Sequence, residues 1–155
     1  MYKNKRFIIF SNFKVDDDIR FEYLKFSLRS MSYFKKYSWY VNIRGKLKYK
    51  VAQLIENYIP DITITHIESK HGWMFDTKSL LQNIDCKYLF YWVEDHSLVC
   101  SDNDTKEILA DVMKFKIDYM QTTWWLKSRN ESLYHNIDFL ENKNTKIYNL
   151  KLSHI

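Results

Sequence analysis

Short apolar runs alternate along this chain with longer segments in which apolar residues recur every three or four positions. Phe7 to Phe10 reads as a first buried strand, stopped by the polar Ser11 and Asn12. Asp16, Asp17 and Asp18 supply an N-cap and negative charge for a helix running to about Tyr33, with Lys35 and Lys36 complementing its other end. Phe21, Leu24, Leu28 and Met31 form one core-facing stripe along it. Trp39 to Ile43 is a second short strand closed by Arg44 and Gly45. From Lys46 the pattern turns helical, with Leu47, Val51, Leu54, Ile55 and Tyr58 on one face, and Pro60 ends it. Ile62 and Ile64 alternate with Thr63 and Thr65, as in a short strand closer to a sheet edge. After Gly72, Asp76 is placed to cap a short helix bearing Leu80, Leu81 and Ile84.

Tyr88 to Val93 is a continuous run of six apolar or aromatic residues that ends in Glu94, Asp95 and His96. Such a run suits a central strand covered on both faces better than one with a wet side. Asp104 and Glu107 have capping-box spacing ahead of a helix packed through Ile108, Leu109, Val112 and Met113. Tyr119 to Trp125 reads as a further strand, Lys127 to Asn144 is polar, and Ile147 to Leu152 again resembles a strand. Strands alternating with helices predict an α/β fold: a mostly parallel open sheet with helices on both faces, in one domain over residues 1–155.

Composition narrows this reading. With 17% aromatic residues, two Gly and one Pro, the chain has the makings of a packed core and none of a linker or disordered tail. Its net charge of +5 is uneven: residues 1–50 carry 13 Lys/Arg against 4 Asp/Glu, a balance of +9, and the remainder carries −4. A basic first third suits an anionic partner such as nucleotide phosphates, a nucleic acid or an anionic membrane surface, although a solvated basic face has the same composition. Cys86 and Cys100 belong to no zinc-type array, which leaves free thiols in a reducing compartment. The basic then apolar start is too short for a signal sequence or a bilayer span, so a cytoplasmic location is expected, with peripheral membrane contact open.

The candidate chemistry lies where strands end. Ligands of open α/β sheets bind outside the carboxyl ends of the strands, and Glu94, Asp95 and His96 fall there. Two carboxylates beside an imidazole form a partial site for a divalent cation, or simply a solvated strand end. Both glycines, Gly45 and Gly72, fall just past predicted strands, where backbone must turn tightly or approach a ligand closely. Trp124 and Trp125, at the end of a predicted strand, offer aromatic faces that stack on a ligand or fill a core.

The order of these features resembles the amino-terminal, nucleotide-sugar-binding half of a GT-A-fold glycosyltransferase of the family 2 type, over about residues 6–125. Ile8-Ile9-Phe10-Ser11-Asn12 stands at that family's first strand and donor-base loop, and Leu24, Ser27, Leu28 and Ser30 resemble its next helix. His71-Gly72-Trp73, Asp76-Thr77 and Leu80-Leu81 resemble its glycine loop and following helix. Tyr88 to His96 resembles the strand and acidic motif that hold a divalent metal on the donor diphosphate. The family motif has an acid, a spacer and an acid; Glu94-Asp95-His96 leaves the ion to Asp95, to Glu94 with His96, or to neither. Where the family's second strand usually ends in acids, this chain has Asn42, Ile43, Arg44 and Gly45.

The resemblance implies a nucleotide-sugar donor at Ser11, Asn12, Arg44, Gly72, Asp76 and Glu94, and Mn²⁺ or Mg²⁺ at Asp95 and His96. A hard cation's preference for carboxylate oxygen over imidazole favours the two acids, and the shorter side chain of Asp95, which holds an ion closer to the backbone edge, favours it as ligand, with Glu94 orienting its neighbours. The implied reaction transfers a sugar to a hydroxyl acceptor on a glycan, a lipid carrier or another molecule. Arg44 or a lysine of the basic third is expected to face the acidic cluster across a groove. Residues 126–155 form a short extension in which Glu131, His135 and Asp138 are available as a base, with no spacing that marks one of them. A catalytically silent sugar-nucleotide-binding module is the main rival. Nucleic-acid binding is not expected, because the aromatics sit in core-like periodic runs and no recognition motif is present.

Overall fold

The structure is a computed structural model and describes residues 5–117, 120, 139–142 and 145–148. The chain divides into two compact units, Met1–Val99 and Cys100–Ile155. The described part of the first unit runs β1 (Lys5–Lys14), α1 (Asp18–Ser30), a 3-10 turn (Ser32–Lys36), β2 (Ser38–Arg44), α2 (Lys48–Tyr58), β3 (Ile62–Thr65), α3 (Trp73–Leu81) and β4 (Cys86–Tyr91). The four strands form a parallel sheet in the order β3-β2-β1-β4. Parallel neighbours require crossovers, which the three helices provide. The sheet grows from β1 through β2 to β3, then returns past β1 to β4. With right-handed crossovers, α1 and α2 fall on one face and α3 on the other. Side-chain contacts agree: Ser27 of α1 meets Trp92 behind the sheet, whereas Thr77 of α3 meets Asn12 on the opposite face.

The core follows from strand alternation. Ile9 and Phe13 of β1 and Trp39, Val41 and Ile43 of β2 are buried, as are Phe21, Leu24 and Leu28 of α1 with Met31 after it, and Val51 and Ile55 of α2. Trp39 packs edge-on against Trp92 and donates its indole N–H to the Phe34 carbonyl at 3.0 Å, so a large polar-tipped ring is buried without an orphan donor.

Several expectations need correction. Ser11 and Asn12 lie inside β1, because pairing with β2 continues to Lys14. The first helix ends at Ser30, where Met31 caps it through a bond to the Leu28 carbonyl and a 3-10 turn takes over. Asp76 does not cap α3; Gly72 holds that position with no side-chain bond, and Asp76 is buried within the first turn. β4 has one neighbour among the described residues, not two. Its burial alternates, with Lys87, Leu89 and Tyr91 exposed, so an uninterrupted apolar run here marks a strand with one open face. Ile62–Thr65 is an edge strand, as its alternation predicts.

In the second unit, α4 (Asp102–Lys114) is capped by Ser101, whose hydroxyl accepts from the Asp104 N–H, in place of the expected Asp104–Glu107 box. It buries Leu109 and Val112. β5 (Phe139–Asn142) and β6 (Thr145–Tyr148) form an antiparallel hairpin. The expected strand Tyr119 to Trp125, including Trp124 and Trp125, and Glu131, His135 and Asp138 lie outside the described residues apart from Met120. Among the described residues no helix is long and apolar enough to cross a membrane.

Gly45 shows how closely the connections pack. At φ +94°, a Cβ there would sit 2.5 Å from the Val15 carbonyl oxygen and 2.8 Å from an Asp16 carboxylate oxygen. The Gly45→Ala variant is expected to lose more than about 1 kcal/mol of stability, combining left-handed backbone strain with displacement of that turn. Urea unfolding monitored by circular dichroism reads the difference; an unchanged midpoint refutes it.

Candidate functional site

At the carboxyl edge of the sheet, register aligns Asn12 of β1, Asn42 of β2 and Thr65 of β3. Their side chains form a closed ladder. The Asn42 amide nitrogen donates to Asn12 Oδ1 at 2.9 Å and to the Ile67 carbonyl at 2.8 Å, while its Oδ1 accepts from Thr65 Oγ1 at 2.8 Å and from the Ile67 N–H at 2.7 Å. Asn12 also accepts from Arg44 Nε at 3.1 Å and donates to Thr77 Oγ1 at 2.7 Å and, more weakly, to the Trp73 carbonyl at 3.4 Å. Asn42 is fully buried, so each of these bonds offsets the desolvation of an amide group. The ladder fixes the loop after β3 and the start of α3 against the strand ends.

A second network clasps the loop after β4. Trp92 donates its indole N–H to Ser27 Oγ at 2.8 Å, Ser27 Oγ donates to the His96 carbonyl, and Ser30 Oγ accepts the Leu98 N–H at 2.8 Å. Ser11 Oγ donates to the Trp92 carbonyl at 2.5 Å. Glu94 and Asp95 occupy the middle of a turn closed by the His96 N–H on the Val93 carbonyl at 3.0 Å. The turn sends the two acids to different fates. Glu94 points inward and is buried, receiving Arg20 Nη2 at 2.9 Å, whereas Asp95 is exposed with Oδ1 3.7 Å from His96 Nε2.

Burial pushes the Glu94 carboxyl above the usual range, and Asp95 adds to this, while its own backbone N–H and Arg20 pull in the other direction. The tyrosine hydroxyl of Tyr91 is likewise raised, first by burial and then by the negative Glu94, with Arg44 opposing. Asp76 is held low, first by hydrogen bonds from the side chain and backbone of Ser69, with Arg44 and His71 assisting electrostatically. Arg44 thus acts on both Asp76 and Tyr91, and Tyr91 also senses Glu94.

The positions suggested by sequence divide accordingly. Arg44, Asp76 and Glu94 converge on this edge; Ser11 and Asn12 reach it too, but their polar atoms are engaged by Trp92, Asn42, Arg44, Thr77 and Trp73. Gly72 has φ +88° and open space around the missing Cβ. The cation that meets Glu94 is Arg20, where Arg44 or a lysine is expected. Arg20 was hidden because helix pairing within 16–20 gives no sign of a partner 74 residues away. Tyr91 was hidden inside the aromatic run; only the alternation of β4 exposes it.

Among the described residues no three His, Cys, Asp or Glu side chains gather as a ready-made metal site. Asp95 and His96 offer one carboxylate and one imidazole at an exposed turn, with Glu94 already committed to Arg20. Mg²⁺ commonly takes one or two protein carboxylates and completes its shell with phosphate and water, so this donor set fits an ion that arrives with a diphosphate, and does not fit an all-protein cage.

The Glu94 pair has a defined pH signature. An acid whose folded pKa is raised favours the folded state at low pH and withdraws that contribution as pH rises from its ordinary value of 4.5 through the raised one; Asp76, lowered from 3.8, contributes above 3.8 and loses its contribution as pH falls through its folded value. In Arg20→Met the Glu94 titration midpoint is expected to rise further, because one attraction that opposes burial is removed. Carboxyl carbon NMR titration checks this, and an unchanged or lower midpoint refutes it.

No protein-family model, no curated protein and no solved structure matches this chain.

Proposed function

We propose that the first unit binds the diphosphate of a nucleotide sugar at the carboxyl edge between β1 and β4, and that the protein is a GT-A-like glycosyltransferase using a divalent ion. The observation that carries this reading is Arg44 at the end of β2, its Nε held by Asn12 and its charge acting on Asp76 and Tyr91, beside the point where crossovers leave the sheet on opposite faces. Such a point opens a crevice, because the loops after neighbouring strands diverge.

In this reading Arg44 receives the diphosphate. Its Nε is fixed by Asn12, and among the described residues its terminal nitrogens have no hydrogen-bond partner, so a planar pair of donors is left for phosphate oxygens. Asn12 thereby acts as a positioning residue, and Asn42 positions Asn12. Tyr91 presents a half-exposed ring and hydroxyl on the same side. Asp95, with His96, would hold Mn²⁺ or Mg²⁺, which when bound supplies charge neutralisation on the departing nucleotide diphosphate. Arg20 and the Ser27–Ser30 clasp hold the Glu94–Asp95 turn in place, so that Asp95 meets the ligand without a reorganisation cost. Sugar transfer to a hydroxyl acceptor then needs a base, which this reading assigns to no described residue.

A binding-only module is the second reading, favoured by the commitment of Glu94 to Arg20 and of Asn12 to its neighbours. Turnover separates the two: release of free sugar from UDP- or GDP-sugars with Mn²⁺ supports the enzyme, and stabilisation by the same ligands without release supports the module.

Thermal unfolding with UDP or GDP, with and without Mn²⁺, tests the site. Arg44→Met is expected to weaken nucleoside diphosphate binding by roughly 10- to 100-fold, the size of a lost hydrogen-bond pair to a charged group. Asp95→Asn is expected to abolish only the Mn²⁺-dependent part, with an unchanged far-UV circular dichroism spectrum. Loss of that part in Glu94→Gln and its retention in Asp95→Asn would reverse the two acids, and no effect of either removes the metal from the proposal.

A further inference from the structure

Trp73, Met74 and Phe75 are three consecutive large apolar side chains, and all are exposed, at 53%, 71% and 55%. They form the first turn of α3, just after Gly72, with exposed Ile67 in the preceding loop and His71 packed 4.9 Å from the Phe75 ring. Water around such a cluster is costly, and contiguous apolar exposure of this kind marks a contact surface.

Its shape and charge indicate what it meets. Successive helical residues turn by about 100°, so the three side chains spread over more than half the circumference of the helix end. A rigid partner lying along a helix meets positions three and four apart, and would leave one of these three in water. A fluid layer entered end-on covers all three. Trp and Phe suit the boundary of such a layer, where a ring meets hydrocarbon on one side and water on the other. Lys70 and Lys78 flank the cluster, are exposed, and form no ion pair among the described residues. The nearby acid Glu68 is paired with Lys14 at 3.2 Å. The other acid of the segment, Asp76, is buried and held by Ser69 with Arg44 nearby, so the exposed charge left around the apolar tip is that of the two lysines.

We propose that the Ile67–Lys78 segment docks the protein on an anionic phospholipid surface, with Trp73, Met74 and Phe75 entering the interface and Lys70 and Lys78 meeting the headgroups. The apolar side chains supply depth of insertion, and the lysines supply attraction that depends on lipid charge and on salt. Because α3 also meets Asn12 through the Trp73 carbonyl and Thr77, docking places the sheet's carboxyl edge near the bilayer surface. This inference stands on exposed side chains alone and does not depend on nucleotide binding.

The test is co-sedimentation of the full chain with vesicles of equal parts phosphatidylcholine and phosphatidylglycerol, and with phosphatidylcholine alone. The parent is expected to bind the mixed vesicles, and to bind less at high salt or on phosphatidylcholine. Lys70→Ala with Lys78→Ala is expected to weaken binding to mixed vesicles by roughly 25-fold, since each basic residue near an anionic surface contributes about fivefold. Trp73→Ser with Phe75→Ser is expected to abolish retention on both. Thermal unfolding verifies that these variants remain folded, and Met74→Ser, altering only the most exposed of the three, serves if the double change does not fold. Failure of the parent to bind mixed vesicles overturns the proposal, as does equal binding by parent and variants. A parent dimer in sedimentation velocity that persists on vesicles and dissociates in Trp73→Ser with Phe75→Ser also overturns it, because a second copy then covers the patch.

Discussion

The Asn42 side chain is the constraint on which the carboxyl edge depends. It is an amide with no access to water, and a buried amide that lacks partners costs several kcal/mol, so the surroundings must supply two donors and two acceptors. Thr65 Oγ1 and the Ile67 N–H give to its oxygen; Asn12 Oδ1 and the Ile67 carbonyl take from its nitrogen. Meeting that demand fixes the register of three strands and the path of the chain after β3. It also fixes Asn12, which in turn aims Arg44 and anchors the start of α3. A polar network inside an otherwise apolar sheet thus specifies the geometry of the edge.

The Trp92–Ser27–Ser30 clasp does the same for the loop after β4. Its effect is to separate two adjacent acids that have the same charge and different neighbours. Turning Glu94 inward costs solvation, and Arg20 recovers only part of it, since burial outweighs the guanidinium in setting the carboxyl's affinity for its proton. Asp95 keeps its water. A carboxylate on a rigid turn with open solvent in front of it is suited to an ion that carries its own oxygen ligands, and this is why the proposed metal role falls to Asp95.

The same edge carries two kinds of surface. Polar and charged groups gather between β1 and β4, and an apolar, cation-rimmed tip stands at α3. Asn12 touches both, through Arg44 on one side and Thr77 on the other. The proposed donor site and the proposed lipid contact would use these two kinds of surface, and the ladder links them through Asn12.

Periodicity alone determined the order of elements in the first unit. Apolar residues at i, i+3 and i+7 placed Phe21, Leu24 and Leu28 in the core of α1, and short apolar runs separated by helical segments implied parallel pairing, because each crossover is long enough to bring the chain back to the same end of the sheet. The candidate edge was legible for a related reason: strand ends are marked by the change from apolar to polar residues, which placed Arg44 and Glu94 there, whereas the same signal at Ser11 and Asn12 fell two residues short of the end of β1. What sequence left open depends on partners distant in the chain. The run Tyr88 to Val93 has the apolarity of a central strand, and only its position beside β1, with Leu89 and Tyr91 exposed, makes it one-sided. Asp76 has the chemistry of a cap, but the backbone bond from Ser69 draws it inward and leaves the cap to Gly72. Side-chain length favoured Asp95 over Glu94 as a ligand but gave no sign of how differently the two acids are placed. Tertiary structure distinguished them, because a turn directs neighbouring side chains apart and Arg20, far away in sequence, stood on one side only.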